Sequence, residues 1–264
     1  MSNALANRTP QELAAAKEIN DLFGVDGIQI PVDAPLPTVK IMRESPQFEM
    51  PDGTYEKSIR GHILYYTNAN AFYAAAFGEG ESVIPDCFSS NGIMPDGGEH
   101  MLAGPCKACP KNQFSSHADG VAKACSNTIR LYVLLDGDVL PSLIKAPPSS
   151  MSKKDSLMKW LTSAPNIAAK AGVGTAYQPI KVEFSLVKKD FESGFSASVL
   201  QIETIDVLSP AVPEQMEQIK NLARLTKQFK EMYLGRIAQD MAAEKTDDQQ
   251  PITEDGLPKG NIPI

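Results

Sequence analysis

An alternation of apolar and polar positions with a period of two predicts β-strands through the middle of the chain. In "YEKSIRGHILYYTN", one set of residues alternates with another: Ile59, Gly61, Ile63 and Tyr65 against Arg60, His62, Leu64 and Tyr66. This period is typical of a half-buried strand. The run "TIRLYVLLDGDVLPSLI" predicts two strands joined by a turn at Asp136-Gly137, and residues 179–205 predict two more around a loop containing Gly194.

Helix signals flank these strands. Residues 1–25 are predicted to form a helix, with a capping box from Thr9 to Glu12. The proline-punctuated stretch that follows, through Pro51, is predicted to be a loop. A further helix is predicted to begin near Ser152 and to be interrupted at Pro165.

A long C-terminal helix is predicted over residues 211–242. Apolar residues recur along it on one side, and we expect that side to be buried: Met216, Ile219, Ala223, Phe229, Tyr233 and Ile237. The opposite side carries a basic stripe at i, i+4, i+7 spacing, formed by Lys220, Arg224 and Lys227. Such a stripe is usually an ordinary solvated helix face.

The order of these elements predicts a mainly β fold of the α+β class. Residues 38–210 give strand, insertion, strand, strand, helix, strand, strand, with the insertion at about 85–128. This is the element order of an OB-fold, a five-stranded Greek-key barrel. An unrelated α+β sandwich with the same order is the alternative.

Composition and charge narrow the function classes. The chain has 264 residues, of which 42% are hydrophobic, so it can bury a substantial core. It contains no apolar run near the ~20 residues that span a bilayer, and its N-terminus lacks the apolar stretch of a signal peptide. We therefore expect a cytoplasmic protein without a membrane partner. The net charge is −7, and residues 243–264 carry five acids and are predicted to be a disordered tail.

All four cysteines fall around one segment, with the spacing C-x18-C-x2-C-x15-C: Cys87, Cys106, Cys109 and Cys125. A C-x-x-C turn can direct two thiolates at one tetrahedral ion. In a reducing compartment, cysteines are more often metal ligands than disulfides. The spacing therefore predicts a structural Zn²⁺ site in the insertion.

Other interpretations of these cysteines stay open. A [4Fe–4S] cluster also takes four thiolates. A thioredoxin-like redox pair would need its C-x-x-C beside a βαβ unit, which the pattern does not offer. Cys87 is the least certain ligand, and His100 or His117 could replace it. Four sulfurs argue against a catalytic zinc, which keeps one coordination position for water.

Cationic and aromatic residues in and beside the insertion are the pattern that single-stranded nucleic acid requires, because phosphates need cations and bases need rings on which to stack. The candidates are Arg60, Tyr66, Lys107, Lys111, Phe114, Lys123, Arg130 and Tyr132. If the two strands are neighbours, Arg60, Tyr66, Arg130 and Tyr132 share a face. The alternative is structural: the tyrosines pack at the rim of the core, and Phe114 plugs the metal site.

The run "CKACPKNQFSS…GVAKACSNTIRLYVLL", together with a zinc loop inserted in an OB-like body, resembles the zinc-containing single-stranded DNA-binding proteins of tailed phages. This resemblance implies a phage-encoded protein of DNA replication or recombination, in the host cytoplasm. The ending "GNIPI" is similar to the acidic tails of bacterial single-stranded DNA-binding proteins, which end in Asp-Ile-Pro-Phe and dock into partner proteins. It implies that Ile262, Pro263 and Ile264 bind replication or recombination proteins.

We therefore expect a non-enzymatic protein that binds single-stranded DNA. The chain has no GxGxxG, P-loop, HExxH or GxSxG motif, and its carboxylates show no spacing that assigns a general acid and base. The alternative is a zinc-stabilised transcription or host-takeover factor that binds a protein through the long C-terminal helix.

Overall fold

The computed structural model describes residues 36–42, 45–74, 85–98, 101, 104–118, 120, 122–152, 156–190, 196–234 and 237. The predicted helix over residues 1–25 and the predicted disordered tail over residues 243–264 lie outside the described residues. In the described part of the chain, no helix is both long and apolar enough to cross a membrane.

The described residues form nine strands, which are β1 Thr38–Ile41, β2 Phe48–Glu49, β3 Tyr55–Glu56, β4 Ser58–Phe72, β5 Cys87–Ser89, β6 Cys125–Leu135, β7 Ser142–Ala146, β8 Ile180–Asp190 and β9 Ser196–Val207. The helices are α1 Ser156–Lys170 and α2 Pro213–Tyr233. Short 3-10 turns occupy Cys106–Ala108, Pro110–Asn112 and Pro148–Ser150. The prediction of a mainly β protein with helices and a long C-terminal helix is confirmed.

The strands form one sheet in the order β3-β2-β1-β7-β6-β4-β8-β9, with β5 also paired to β4. The sheet curls into a half-barrel. All neighbours are antiparallel except β1 and β7. The predicted order of three strands, a helix and two strands is present as β4, β6, β7, α1, β8 and β9. Strands β1, β2 and β3 lie largely in the segment predicted to be a loop.

One face of the curled sheet, which we call the concave face, holds the largest core cluster, which includes Val39 of β1 and Ile202 of β9, and is covered by α1. Leu157, Trp160, Ala164 and Ala168 are the buried residues of this helix. The Trp160 indole Nε1–H donates to Thr204 Oγ1 at 2.9 Å, which satisfies the polar end of a buried ring. The predicted interruption of α1 at Pro165 is wrong, because the helix continues to Lys170. Burial of its apolar face outweighs the helix hydrogen bond that proline removes.

Backbone N–H groups on the outer edge of β9 donate hydrogen bonds to serine hydroxyl oxygens. Leu200 N–H donates to Ser150 Oγ at 2.8 Å, and Ile202 N–H donates to Ser156 Oγ at 2.9 Å. Ser198 Oγ donates to the Ser45 carbonyl at 3.3 Å. Within the described residues, β7 and β9 are not neighbours in the sheet, and the 3-10 turn at Pro148–Ser150 contacts β9 through Ser150.

A β-bulge in the middle of β4 exchanges the two faces of this strand. Ile63 pairs with Val133 of β6, but the next pair is Tyr65 with Tyr132, so Leu64 has no partner in the ladder. A bulge adds one residue to one strand and reverses the alternation beyond it. The prediction that Ile63 and Tyr65 share a face is therefore wrong, because Tyr65 lies on the convex face with Tyr132.

Helix α2 covers the convex face through aromatic contacts. The Phe229 ring lies 4.6 Å from the Tyr132 ring and stacks on Tyr233 at 5.2 Å, measured between centroids. The predicted apolar side of the helix is confirmed at Phe229, Tyr233 and Ile237, which are buried. Ala223 is exposed instead, and Leu222 and Leu225 are buried.

Candidate nucleic-acid interface

The segment from Gly104 to Ala124, which we call the cysteine loop, is held by backbone hydrogen bonds of its tight turns and by hydrogen bonds between polar side chains and its own backbone. Asn112 Nδ2 donates to the Cys106 carbonyl at 2.9 Å, and Gln113 Nε2 donates to the Lys107 carbonyl at 2.8 Å. Ser116 Oγ donates to the Lys111 carbonyl at 2.8 Å and accepts from Ala124 N–H at 2.9 Å.

These bonds replace a hydrophobic core. In the described part of the loop, Cys106 and Ala122 are the buried residues. Sequence reasoning missed the roles of Asn112, Gln113 and Ser116. The signal was present, because short polar side chains next to tight turns commonly bond to nearby backbone groups.

The four cysteines approach one another at the end of the sheet that carries this loop. Cys87 on β5 and Cys125 on β6 each pair with Phe72 of β4, from opposite sides. Cys106 and Cys109 bracket the first 3-10 turn, where Cys109 N–H donates to the Cys106 carbonyl at 3.3 Å. The four residues are thiols rather than disulfides.

The Cys125 thiol lies close enough to the other three cysteines to interact with them electrostatically. Burial raises the pKa of Cys125 to about 12, and negative charge on Cys109, Cys106 and Cys87 contributes to the same direction. A neutral thiol is therefore the form that this environment favours, and a cation would be needed to hold several thiolates together.

Thiolates are the donors that Zn²⁺ prefers, so the donor set fits this ion. The arrangement fits less well, because no three His, Cys, Asp or Glu side chains of the described residues are grouped so that they could hold a metal ion. His117 belongs to a turn in which its N–H donates to the Ala122 carbonyl at 3.0 Å. His100 lies outside the described residues. The metal site and its ligands remain a prediction.

Two lysines of the cysteine loop each lie near an aromatic ring, one in the loop itself and one at the end of β4. Lys123 Nζ lies 4.9 Å from the centroid of the Phe114 ring, and Lys111 Nζ lies 5.1 Å from that of Phe72. The exposed fraction of Phe114 is 45%, and Phe72 is half-buried. Lys107 and Lys111 are exposed. We call these five residues the cation–aromatic surface.

A second segment adjoins this surface. The Ile93 carbonyl accepts a hydrogen bond from Cys106 N–H at 2.8 Å, which ties residues 90–96 to the cysteine loop. The side chains of Ile93 and Met94 are exposed by 65% and 46%. Large apolar groups at this exposure mark a surface that can contact a partner when they lie together.

The predicted trough of Arg60, Tyr66, Arg130 and Tyr132 does not form. The bulge in β4 separates Arg60 and Tyr66 onto opposite faces. Tyr66 packs at the concave core with its ring 5.4 Å from that of Tyr177. Arg60 is exposed, but its Nε donates to Glu183 Oε1 at 2.8 Å near the opposite end of β4.

Arg130 and Tyr132 are inaccessible to a ligand at the surface. Their exposed fractions are 3% and 2%, and Tyr132 packs under the Phe229 ring of α2. The prediction of an exposed cation and stacking ring at these positions is wrong, because both side chains are buried and α2 covers Tyr132. The predicted partner-binding residues Ile262, Pro263 and Ile264 lie outside the described residues.

The cation–aromatic surface is therefore the part of the predicted site that the fold brings together: Lys107, Lys111, Phe114 and Lys123, joined by Phe72. The chain matches no family model, no curated protein and no solved structure.

Proposed function

We propose that the protein binds single-stranded DNA without catalysing a reaction, in replication or recombination, through the cation–aromatic surface. The observation that carries this proposal is the pairing of Lys123 with the exposed Phe114 ring and of Lys111 with Phe72. A lysine at a ring offers a phosphate contact beside a stacking platform, which is the combination that sequence-tolerant binding of a single strand requires.

The form of the surface favours a single strand over a duplex. Phe114 is exposed on a loop, where an unpaired base can reach its face. Bases within a duplex are already stacked on one another, so an exposed ring adds little to duplex affinity.

Local charge makes this binding possible in an acidic chain. The net charge is −7, yet the cysteine loop contributes Lys107, Lys111 and Lys123 over a short stretch of surface. At the ~8 Å Debye length of physiological salt, a phosphate at the loop interacts mainly with nearby charges. The proposed affinity falls steeply as salt rises, because counterions are released on binding.

The half-barrel is, in this proposal, a variant of the OB-fold. Strands β4, β6, β7, β8 and β9 with α1 after β7 supply its five strands and its helix. The pairing of β1 with β7 and the serine bonds along β9 take the place of full closure. The OB-fold recurs among proteins that bind single strands, but a fold alone does not assign a function.

A structural Zn²⁺ held by Cys87, Cys106, Cys109 and Cys125 completes the proposal. The ion would cross-link a loop with few buried residues, and in doing so hold Lys107, Lys111 and Lys123 in place. The acidic tail ending in Ile262, Pro263 and Ile264 would recruit replication or recombination proteins, because a short apolar tip on a charged tether suits peptide docking.

Fluorescence anisotropy with a labelled oligo-dT tests the proposed function. We expect binding at low salt, a linear fall of log affinity with log salt, and at least tenfold weaker binding to a duplex of the same length. An oligo-U of equal length distinguishes a preference for DNA from one for RNA. Equal affinity for duplex and single strand, or no binding at low salt, contradicts the proposal.

The second candidate function is binding of a protein partner, as a transcription or host-takeover factor would. The exposed Ile93 and Met94 beside the cysteine loop favour it. The C-terminal helix does not, because Phe229 and Tyr233 of α2 are buried against the sheet. A stable heteromeric complex that is lost on Ile93→Ser, in a protein indifferent to oligonucleotides, would support this function instead.

A further inference from the structure

A cavity with a volume of about 720 Å³ opens at the end of β4 opposite the cysteine loop. Ile59 and Leu135 form its buried floor, with Met50 and Leu140 on its walls. Strand β4 has 15 residues, which at about 3.3 Å per residue separates this cavity from Phe72 by roughly 45 Å along the strand. A volume of this size is within the range of small-molecule sites.

The floor of the cavity contains an unsatisfied hydroxyl. The exposed fraction of Ser142 is 1%, and its Oγ has no hydrogen-bond partner among the described residues. Ser142 pairs with Val133 in the ladder, so its side chain is on the concave face with the floor residues. A buried polar group without a partner destabilises the folded state, so a ligand that supplies the partner gains affinity at this position.

The rim of the cavity is acidic. Asp52, Glu56 and Asp138 line it and are exposed, and Asp136 lies deeper in a salt bridge with Lys181 at 2.7 Å. Within the described part of the chain, the carboxylates of Glu56 and Asp138 take part in no salt bridge. Desolvation of its carboxyl group, followed by the nearby charge of Asp52, raises the pKa of Asp138. A cation at the rim would stabilise the ionised form of Asp138 and offset the repulsion between its charge and that of Asp52.

Two other charges bound the site. Arg60 lines the cavity, but Glu183 pairs with its guanidinium. Asp52 accepts hydrogen bonds from the Thr54 backbone N–H at 3.0 Å and from the Thr54 hydroxyl at 2.6 Å, which hold its carboxylate in a fixed position. The rim therefore keeps an excess of negative charge.

We propose that this cavity binds a small organic cation: an amine at the acidic rim, on an apolar chain that ends in a neutral hydrogen-bonding group at Ser142. The amine would contact the carboxylates of Asp52, Glu56 and Asp138. The apolar chain would pack on the apolar floor, and the neutral group would form a hydrogen bond with the Ser142 hydroxyl. The inference does not depend on DNA binding, because the two sites lie at opposite ends of β4.

The same features disfavour other ligands. The described acidic side chains are not grouped as a metal site would require. The apolar floor supplies no ligand atoms for a metal ion. A lysine side chain of a peptide would carry its amine to the floor and leave the carboxylates at the rim without a cation. A free small molecule with polar groups at both ends fits better.

Three probes of equal chain length test the proposal by titration followed in ¹H–¹⁵N NMR spectra. 5-Amino-1-pentanol has both polar ends, pentylamine lacks the hydroxyl, and 1,5-pentanediol lacks the charge. We expect a millimolar Kd for 5-amino-1-pentanol, with shifts at Asp138 and Ser142, and about three- to tenfold weaker binding of each simplified probe.

Two variants assign the ends of the ligand. Ser142→Ala should abolish the advantage of 5-amino-1-pentanol over pentylamine, and Asp138→Asn should reduce its advantage over 1,5-pentanediol, with Asp52 and Glu56 keeping their charges. Glu214→Gln removes an equal charge from an exposed position in the first turn of α2 and should leave both advantages intact. Equal binding of all three probes, absence of binding, or unchanged probe preferences in both variants would overturn the proposal. Because Ser142→Ala removes an unsatisfied hydroxyl, the folded state should tolerate it.

Discussion

Cys87 and Cys125 face each other across Phe72, each directly paired with it on a neighbouring strand. Directly opposed residues of antiparallel strands point to the same side, so the Phe72 side chain lies between the two thiols. Two strand spacings place their Cα atoms roughly 10 Å apart. If one ion binds both sulfurs at about 2.3 Å, this end of the sheet must adjust around the ring.

We expect the purified protein to bind one Zn²⁺ per chain through its cysteines. Cys106→Ser and Cys125→Ser should each lose the metal, because three sulfurs hold zinc far more weakly than four. Cys87→Ser should have the smallest effect, because Cys87 has the weakest electrostatic influence of the three other thiols on Cys125. Metal analysis by mass spectrometry, together with titration of reactive thiols before and after a chelator, measures the result.

Lys107→Ala is the matched control for the zinc prediction. Lys107 lies between the two cysteines of the C-x-x-C turn and is exposed, so its removal should leave the metal content unchanged. A wild-type protein that stays free of zinc after incubation with the ion contradicts the prediction.

We expect Phe114→Ala to weaken the affinity for oligo-dT by about 5- to 150-fold, because stacking of one base on an aromatic ring is worth ~1–3 kcal/mol. Anisotropy titration measures this change. Tyr55→Ala is the control, since Tyr55 is exposed by 55% and lies far from the cysteine loop along the sheet. Equal losses in the two variants would show that the cation–aromatic surface is not the binding site.

Lys111→Ala should change the salt dependence of binding rather than the preference among sequences. Removal of one phosphate contact lowers the slope of log affinity against log salt by about 0.7 for a single strand. Lys188→Ala, at an exposed position of β8, should leave the slope unchanged. A slope that stays the same in Lys111→Ala would place the phosphates elsewhere.

The sequence predicts the elements of this fold better than it predicts their faces. Strands β4, β6, β7, β8 and β9 and both helices carry strong periodic patterns, and all of them form. The bulge at Leu64 carries no signal in a hydrophobic alternation, because apolar residues continue on both sides of it. As a result, the predicted shared face of Arg60 and Tyr66 fails, although the strand itself is right.

Burial by a distant element is the second limit on prediction. Tyr132 and Arg130 alternate with apolar neighbours as solvent-facing residues would, yet both are buried, and Phe229 of α2 covers Tyr132. Short strands are the third limit: β1, β2 and β3 have four, two and two residues, too few for a periodic pattern to emerge between prolines. The part of the candidate site that is local in sequence, at Lys107, Lys111, Phe114 and Lys123, lies on one loop of the structure, and its role stays a prediction.

Phe229→Ala should destabilise the folded protein without a direct effect on DNA binding. Phe229 is fully buried between Tyr132 and Tyr233, and deletion of a buried phenylalanine costs about 3–5 kcal/mol of unfolding free energy. Urea unfolding followed by circular dichroism measures it. Phe114→Ala, at an exposed ring, should stay within about 0.5 kcal/mol of the wild type. A similar loss in both variants would contradict the assigned burial.

Asp138→Asn should stabilise the protein at neutral pH, and the gain should vanish in acid. Burial and the charge of Asp52 raise the pKa of Asp138 above its ordinary value of 3.8, so the folded state holds this proton more tightly than the unfolded chain does. Above the raised pKa, ionised Asp138 therefore destabilises the folded state. Below pH 3.8 both states are protonated, and the carboxyl and the amide differ little.

Thermal unfolding at pH 7, 5.5 and 4.5 checks the sign of this effect. The difference in Tm between Asp138→Asn and the wild type should be positive at pH 7 and shrink steadily towards pH 4.5. Glu214→Gln should show no gain at pH 7, because a carboxylate in the first turn of α2 interacts favourably with the helix N-terminus. A variant at Asp138 that is less stable at pH 7, or whose gain grows as the pH falls, would show that this carboxylate stabilises the rim instead of making it a site for a cation.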